Sequence, residues 1–193
     1  MIIYATQKTL ERFKLTTSEE LPSPLKEMAI KIREIESGDG LKEWGAKILY
    51  FDRRKCMQVV NFASKLTFFL CDIKVDEVYQ VPNLIFDYIY DIYSDDPEML
   101  PLLEKYSNET QIAITEKIKD KSIISALNNT QRDFAWDGYR FYEFIENNIL
   151  QTRKINKLVN FDWIISNRID GKKDYNFAGE RFKQLLKERY KNN

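Results

Sequence analysis

Three clusters in this 193-residue chain have residue types and spacing that can do chemistry. Arg53, Arg54 and Lys55 fall together between two apolar runs, where guanidinium forks and an ammonium can grip phosphate oxygens. Asp133, Trp136, Tyr139 and Arg140, with Asn128 and Asp137 beside them, would set a carboxylate, a guanidinium and two aromatic rings around a small pocket if the segment is helical. A competing reading of the same residues is plain helix chemistry: Thr130 and Asp133 have the form of a capping box, and Asp137 with Arg140 makes a helical pair worth a few tenths of a kcal/mol. Capping is the preferred reading. Asp87, Asp91 and Asp95 line up at i, i+4 and i+8, a spacing that can hold a divalent cation through waters. The rest of that segment is apolar, so the three carboxylates read instead as the one wet edge of a buried helix, and no metal site is expected.

Histidine is absent from the whole chain. Ser-His-Asp and Cys-His catalysis are thereby excluded, and so are imidazole zinc sites. An enzyme built from this sequence would have to work through carboxylates, Lys, Arg, Tyr or an all-oxygen metal site; the residue types decide neither for nor against one. The six glycines lie scattered at 38, 40, 45, 138, 171 and 179, with no phosphate-cradling loop among them, and no cofactor is expected.

The formal charge is zero but unevenly spread. Residues 66–111 carry 2 basic and 10 acidic side chains, net −8, while the segments on either side are net basic. Such asymmetry can steer a charged partner, although a solvated acidic helix face gives the same count. No apolar run approaches the ~20 residues that cross a bilayer, and no N-terminal secretion pattern is present. The expected location is therefore the cytoplasm, with no membrane partner and with Cys56 and Cys71 reduced.

The elements that must position these clusters start with residues 47–72, which read as three short strands joined by turns at 52–55 and 62–65. The second turn puts Cys56 directly opposite Cys71, a structural pair of small apolar residues. Ile2 to Tyr4 reads as a further strand of the same meander, and Trp44 as a core anchor. Leu25, Met28, Ala29, Ile32 and Ile35 recur at helical spacing and stop before Gly38. Asn83 can cap a helix to residue 93, and Asp96-Pro97 can open another. A helix from residue 120 or 122 is weakened by Asn128-Asn129, and Thr130 restarts a second one carrying Phe134, Trp136, Tyr139, Phe141, Tyr142 and Phe144. Past a basic run at 153–157, a strand over 161–169, a turn at Asp170-Gly171 and a last helix with Phe182, Leu185, Leu186 and Tyr190 complete the chain.

Two segments resemble a family of small bacterial proteins of unknown function, often carried on plasmids and other mobile elements. One is Trp44 to Leu70, with its Asp52-Arg53-Arg54-Lys55-Cys56 turn. The other is Lys121 to Trp136, with Leu127-Asn128 and Asp133-Phe134-Ala135. The resemblance covers about a third of the chain, implies a domain and transfers no catalytic residue.

The expectation is thus one α+β domain over residues 1–193: an antiparallel meander of about four strands with helices packed on one face, plus a C-terminal hairpin and helix. Functionally it reads as a non-catalytic binding or regulatory module acting by protein contact or self-association, through the aromatic helix and the acidic line. The alternative is a nucleic-acid-binding or carboxylate-dependent nucleic-acid-processing protein using the Arg53-Arg54-Lys55 turn. A third reading is a small-ligand enzyme with its site near Trp136.

Overall fold

Residues 43–71 fold back on themselves twice, as their alternating apolar runs demand. The computed structural model describes residues 1–51, 53–136, 138–169 and 172–191. In chain order, β1 (Ile2–Ala5), α1 (Gln7–Phe13) and α2 (Leu25–Glu36) lead to the meander of β2 (Glu43–Phe51), β3 (Arg54–Asn61) and β4 (Thr67–Cys71). Next come α3 (Val81–Ile92), α4 (Met99–Glu109), β5 (Ile114–Lys117) and α5 (Lys121–Trp136). The remainder is β6 (Ile145–Glu146), β7 (Ile149–Leu150), α6 (Thr152–Lys157), β8 (Ile164–Ile169), β9 (Lys172–Phe177) and α7 (Ala178–Tyr190).

The antiparallel register runs Leu49↔Cys56 between β2 and β3 and Cys56↔Cys71 between β3 and β4, as the turn position requires. Asn61 ties the second turn: its side-chain oxygen accepts from the Ser64 N–H and hydroxyl at 3.1 and 3.0 Å, and its amide donates to the Leu41 carbonyl at 2.9 Å. β1 departs from the expected meander. It runs parallel to β2, and β5 pairs parallel on its other side, giving the order β4-β3-β2-β1-β5. The sheet is mixed and five-stranded, because α1 and α2 carry the chain back so that β1 and β2 point the same way.

Helices cover both faces of the sheet, where one was expected. On the first face Trp44, Ala46, Ile48, Met57, Val59, Phe68 and Leu70 pack with Phe13 of α1, Ile85 and Ile89 of α3, Tyr106 of α4 and Phe182 of α7. On the second, Ile2 and Ile114 meet Ala29 of α2, Val60 meets Ile123 and Leu127 of α5, and Leu49, Cys56 and Phe69 meet Phe141, Ile155 and Val159. The unbroken burial of Cys56 through Asn61 follows from this, since a strand covered on both sides needs no polar alternation. Trp44 is fully buried, its indole N–H donating to the Tyr106 hydroxyl at 3.2 Å.

Three further expectations change. α5 is one helix without a break at Thr130, because the side chains that would end it are occupied: Asn128 accepts from Lys47 at 2.7 Å and the Thr130 hydroxyl donates to the Ala126 carbonyl at 3.0 Å. The aromatic residues beyond Trp136 therefore leave the helix, and Phe141–Phe144 form a separate 3₁₀ turn. The expected strand over 161–169 begins only at Ile164, because α6 continues through a π-helical turn over Leu158–Asp162. α2 forms where expected but leaves Leu25, Met28 and Ile35 exposed, burying Ala29 instead. β8 and β9 make the C-terminal hairpin, Ile164↔Phe177, and α7 buries Phe182, Leu186 and Tyr190; the turn at Asp170-Gly171 lies outside the described residues. Among the described residues no helix is long and apolar enough to cross a membrane.

Candidate functional site

The basic turn does not present three free cations. Arg53 occupies the turn with φ of +66°, Arg54 pairs with Asp72 at 2.5 Å, and the Lys55 ammonium stands 5.0 Å from the centre of the Phe13 ring on the opposite face. Alternation along β3 separates Arg54 from Lys55, so adjacency in sequence does not make a patch. Asp52 lies outside the described residues.

Two of the three carboxylates of the acidic line are likewise engaged. Arg153 reaches Asp91 and Asp95, at 3.5 and 3.0 Å, and Lys157 reaches Asp95 at 2.9 Å. Lys154 pairs with Glu146. The basic run of α6 thus answers the acidic segment within the fold, and the Lys157 ammonium first, with the Arg153 guanidinium, holds the Asp95 carboxyl below its usual range.

At the C-terminal end of α5 the arrangement differs. Trp136 is 75% exposed, and the Arg132 guanidinium lies over its ring at 4.7 Å from the centre while its Nε donates to Asp133 at 3.3 Å. Tyr139 turns inward, its ring 6.0 Å from Trp163 and 6.2 Å from Phe144. Arg140 donates to the Tyr139 carbonyl at 3.0 Å. Asp137 lies outside the described residues.

Asp133 lines a cleft of about 450 Å³ between α5 and the start of β8. Lys65, Ser125, Asn129, Thr130, Trp163 and Ile164 share its walls. Lys65 stands at its β4 end with its ammonium donating to the Phe62 carbonyl at 2.9 Å, and burial lowers its pKa against the opposing pull of Asp120. Of Arg53, Arg54, Lys55, Asp133, Trp136, Tyr139 and Arg140, Asp133 alone enters the cleft wall; Trp136 stands at the end of the same helix, and the turn residues, Tyr139 and Arg140 do not line it. Ser122, Ser125, Asn129 and Asp133, spaced three or four apart, form one helical face, a signal that becomes visible once α5 is read as unbroken.

A family model described as a domain of unknown function, DUF6933, matches residues 2–181. The chain belongs to that family. The match runs from β1 into the first turn of α7, so it takes in the helices after residue 73 and the region past Gly138 that the sequence resemblance had left out. A comparison with curated proteins found no match.

This DUF6933 chain also has a larger groove, about 770 Å³, that no sequence signal marked. Its floor is Tyr4, Glu43 and Glu116 on neighbouring strands. Glu43 accepts from the Tyr4 hydroxyl at 3.0 Å and the Gly38 N–H at 3.1 Å, and Glu116 accepts from the Ser18 hydroxyl and faces Arg33 at 3.5 Å. Burial first, with Glu43 beside it, raises the Tyr4 pKa. The two acids at the bottom of this groove are satisfied by the fold itself. Among the described residues no group of three His, Cys, Asp or Glu side chains is placed to hold a metal ion.

Proposed function

We propose that the protein is a non-catalytic binding module that takes a protein partner on the surface made by the end of α5 and the adjoining cleft. The observation that carries this reading is Trp136, a large indole held out in solvent with Arg132 stacked on it, beside a cleft edged by Ile164, itself 67% exposed. Trp and Arg are the side chains that most often anchor protein contacts, and an adjoining pocket supplies the complementary cavity. Arg54, Arg153, Lys154 and Lys157 spend their charge on acids of the same chain, which favours protein over a phosphate backbone as the partner. Asp91 and Asp95 of the acidic line, bridged by Arg153 and Lys157, drop out of the proposed contact surface.

The test is sizing by light scattering, alone and with cell lysate, combined with a pull-down on the immobilised full chain. A retained protein or a self-associated species that is lost in Trp136→Ala and Arg132→Ala supports the reading. A monomer that retains nothing, or retention indifferent to both substitutions, overturns it.

A further inference from the structure

The two cysteines of the chain are directly opposed across β3 and β4, with their sulfurs 3.0 Å apart and both thiols free. The Asp72 N–H donates to the Lys55 carbonyl at 2.8 Å, which makes residues 55 and 72 a hydrogen-bonded pair of the antiparallel ladder. The next pair, Cys56 and Cys71, is therefore a non-hydrogen-bonded one, where Cα atoms approach to about 4.5 Å. That separation lies within the range that disulfides span. Both side chains point to the same sheet face, against Leu49, Phe69 and Phe141, so no strand has to move far for the sulfurs to join.

We propose that Cys56 and Cys71 are a redox-sensitive pair that closes into a cross-strand disulfide when a low-molecular-weight disulfide of the glutathione class is the oxidant. The roles differ by position. Cys56 is buried and donates its S–H to Cys71, and the neighbouring sulfur first, then burial, holds it protonated well above the usual thiol range. Cys71 is half-exposed and accepts, so it is the sulfur that a reagent meets. Its thiolate attacks one sulfur of the small disulfide and expels one thiolate. The mixed disulfide leaves Cys71 without negative charge, which removes the largest influence holding the proton on Cys56. Cys56 then loses its proton, attacks the Cys71 sulfur and expels the second small thiolate. One S–S bond breaks in the reagent and one forms in the protein; two electrons pass to the reagent, and the two thiol protons end on its two thiols. The product staples the edge strand β4 to β3.

The experiment is intact-mass measurement of the native full chain after incubation with excess oxidised glutathione, read beside a thermal melt. The expected product is a monomer lighter by two hydrogens, about 2 Da, with a higher melting midpoint, both reversed by a dithiol reductant. Cys56→Ser is expected to stop at a one-glutathione adduct on Cys71, the step before closure. A wild-type chain that stays fully reduced, halts at a glutathione adduct or links to a second copy overturns the proposal. The wild-type mass decides the matter by itself, even if Cys56→Ser fails to fold.

Discussion

Asn160 holds both backbone groups of Thr67: its side-chain oxygen accepts the Thr67 N–H at 2.8 Å, and its amide donates to the Thr67 carbonyl at 2.7 Å. One helical turn earlier Asn156 accepts the Phe69 N–H at 3.1 Å. β4 is an outer strand of the sheet, so these two side chains take the place of a sixth strand. They reach it because α6 widens into a π-helical turn over Leu158–Asp162, which contains Asn160.

Replacing Asn160 by Ala strips two buried backbone groups of their partners. At about 1–3 kcal/mol for each unsatisfied group, the loss should be roughly 2–4 kcal/mol after partial relaxation. Urea unfolding of Asn160→Ala should show a lower midpoint at unchanged slope. A midpoint equal to wild type would mean that water serves the edge of β4 as well as Asn160 does.

α5 packs close against the sheet at Gly45. A Cβ there would lie 2.3 Å from Cγ2 of Ile123, with Leu127 and Ile118 at 3.5 and 3.6 Å. Gly45→Ala should therefore cost about 1–3 kcal/mol by overpacking. In an Ile123→Ala background the same substitution should cost close to nothing, since the clashing methyl is gone. A double-mutant cycle measures this coupling, and additive losses would place the strain elsewhere.

The meander was legible from sequence because local antiparallel pairing is fixed by its own turns: once residues 62–65 turn, Cys56 has to face Cys71. β1 and β5 were not legible as parallel neighbours, since nothing within Ile2–Ala5 or Ile114–Lys117 records a partner so remote in sequence. Residues 128–130 looked like a helix break because Asn and Thr side chains compete for the backbone; in the fold, Lys47 and the Ala126 carbonyl occupy two of them. Asn156 was hidden inside a basic run whose charges answer Asp91, Asp95 and Glu146. Of the candidate site, Asp133 and Trp136 could be read from spacing, while Lys65 and Ile164 come from other parts of the chain and need the tertiary fold.

Alkali should unfold this protein through its tyrosines. Burial pushes the hydroxyls of Tyr93 and Tyr106 up, and burial with Glu109 nearby pushes Tyr190 up to about 12. In the unfolded chain all three ionise near 10. Their contribution is therefore fully present below pH 10 and is lost as pH climbs through the native values, because the native state keeps protons that the unfolded state releases. Each adds a slope of about 1.4 kcal/mol per pH unit in that window. Cys56, held protonated by the neighbouring Cys71 sulfur and by burial, adds to the loss from about 8.5, while Lys47 and Lys65, whose pKa values burial lowers, act the other way only up to about 10.5. Urea unfolding between pH 9 and 12 should show stability falling more steeply above about 10, and Tyr106→Phe should flatten that steeper part. A curve level to pH 12 would show that these hydroxyls are not held protonated by the fold.

Trp136 should be separable from folding. Of the three tryptophans, Trp44 is fully buried and Trp163 packs against Tyr139, whereas Trp136 is 75% exposed. Trp136→Phe should change stability by no more than about 0.5 kcal/mol, the range of surface substitutions. Iodide quenching of the wild type should reveal one readily accessible tryptophan, and that fraction should vanish in Trp136→Phe. If the end of α5 is a contact surface, a captured partner should protect the same fraction in the wild type. Quenching that persists in Trp136→Phe would assign the exposed indole to Trp163, and would remove the anchor from the proposed surface.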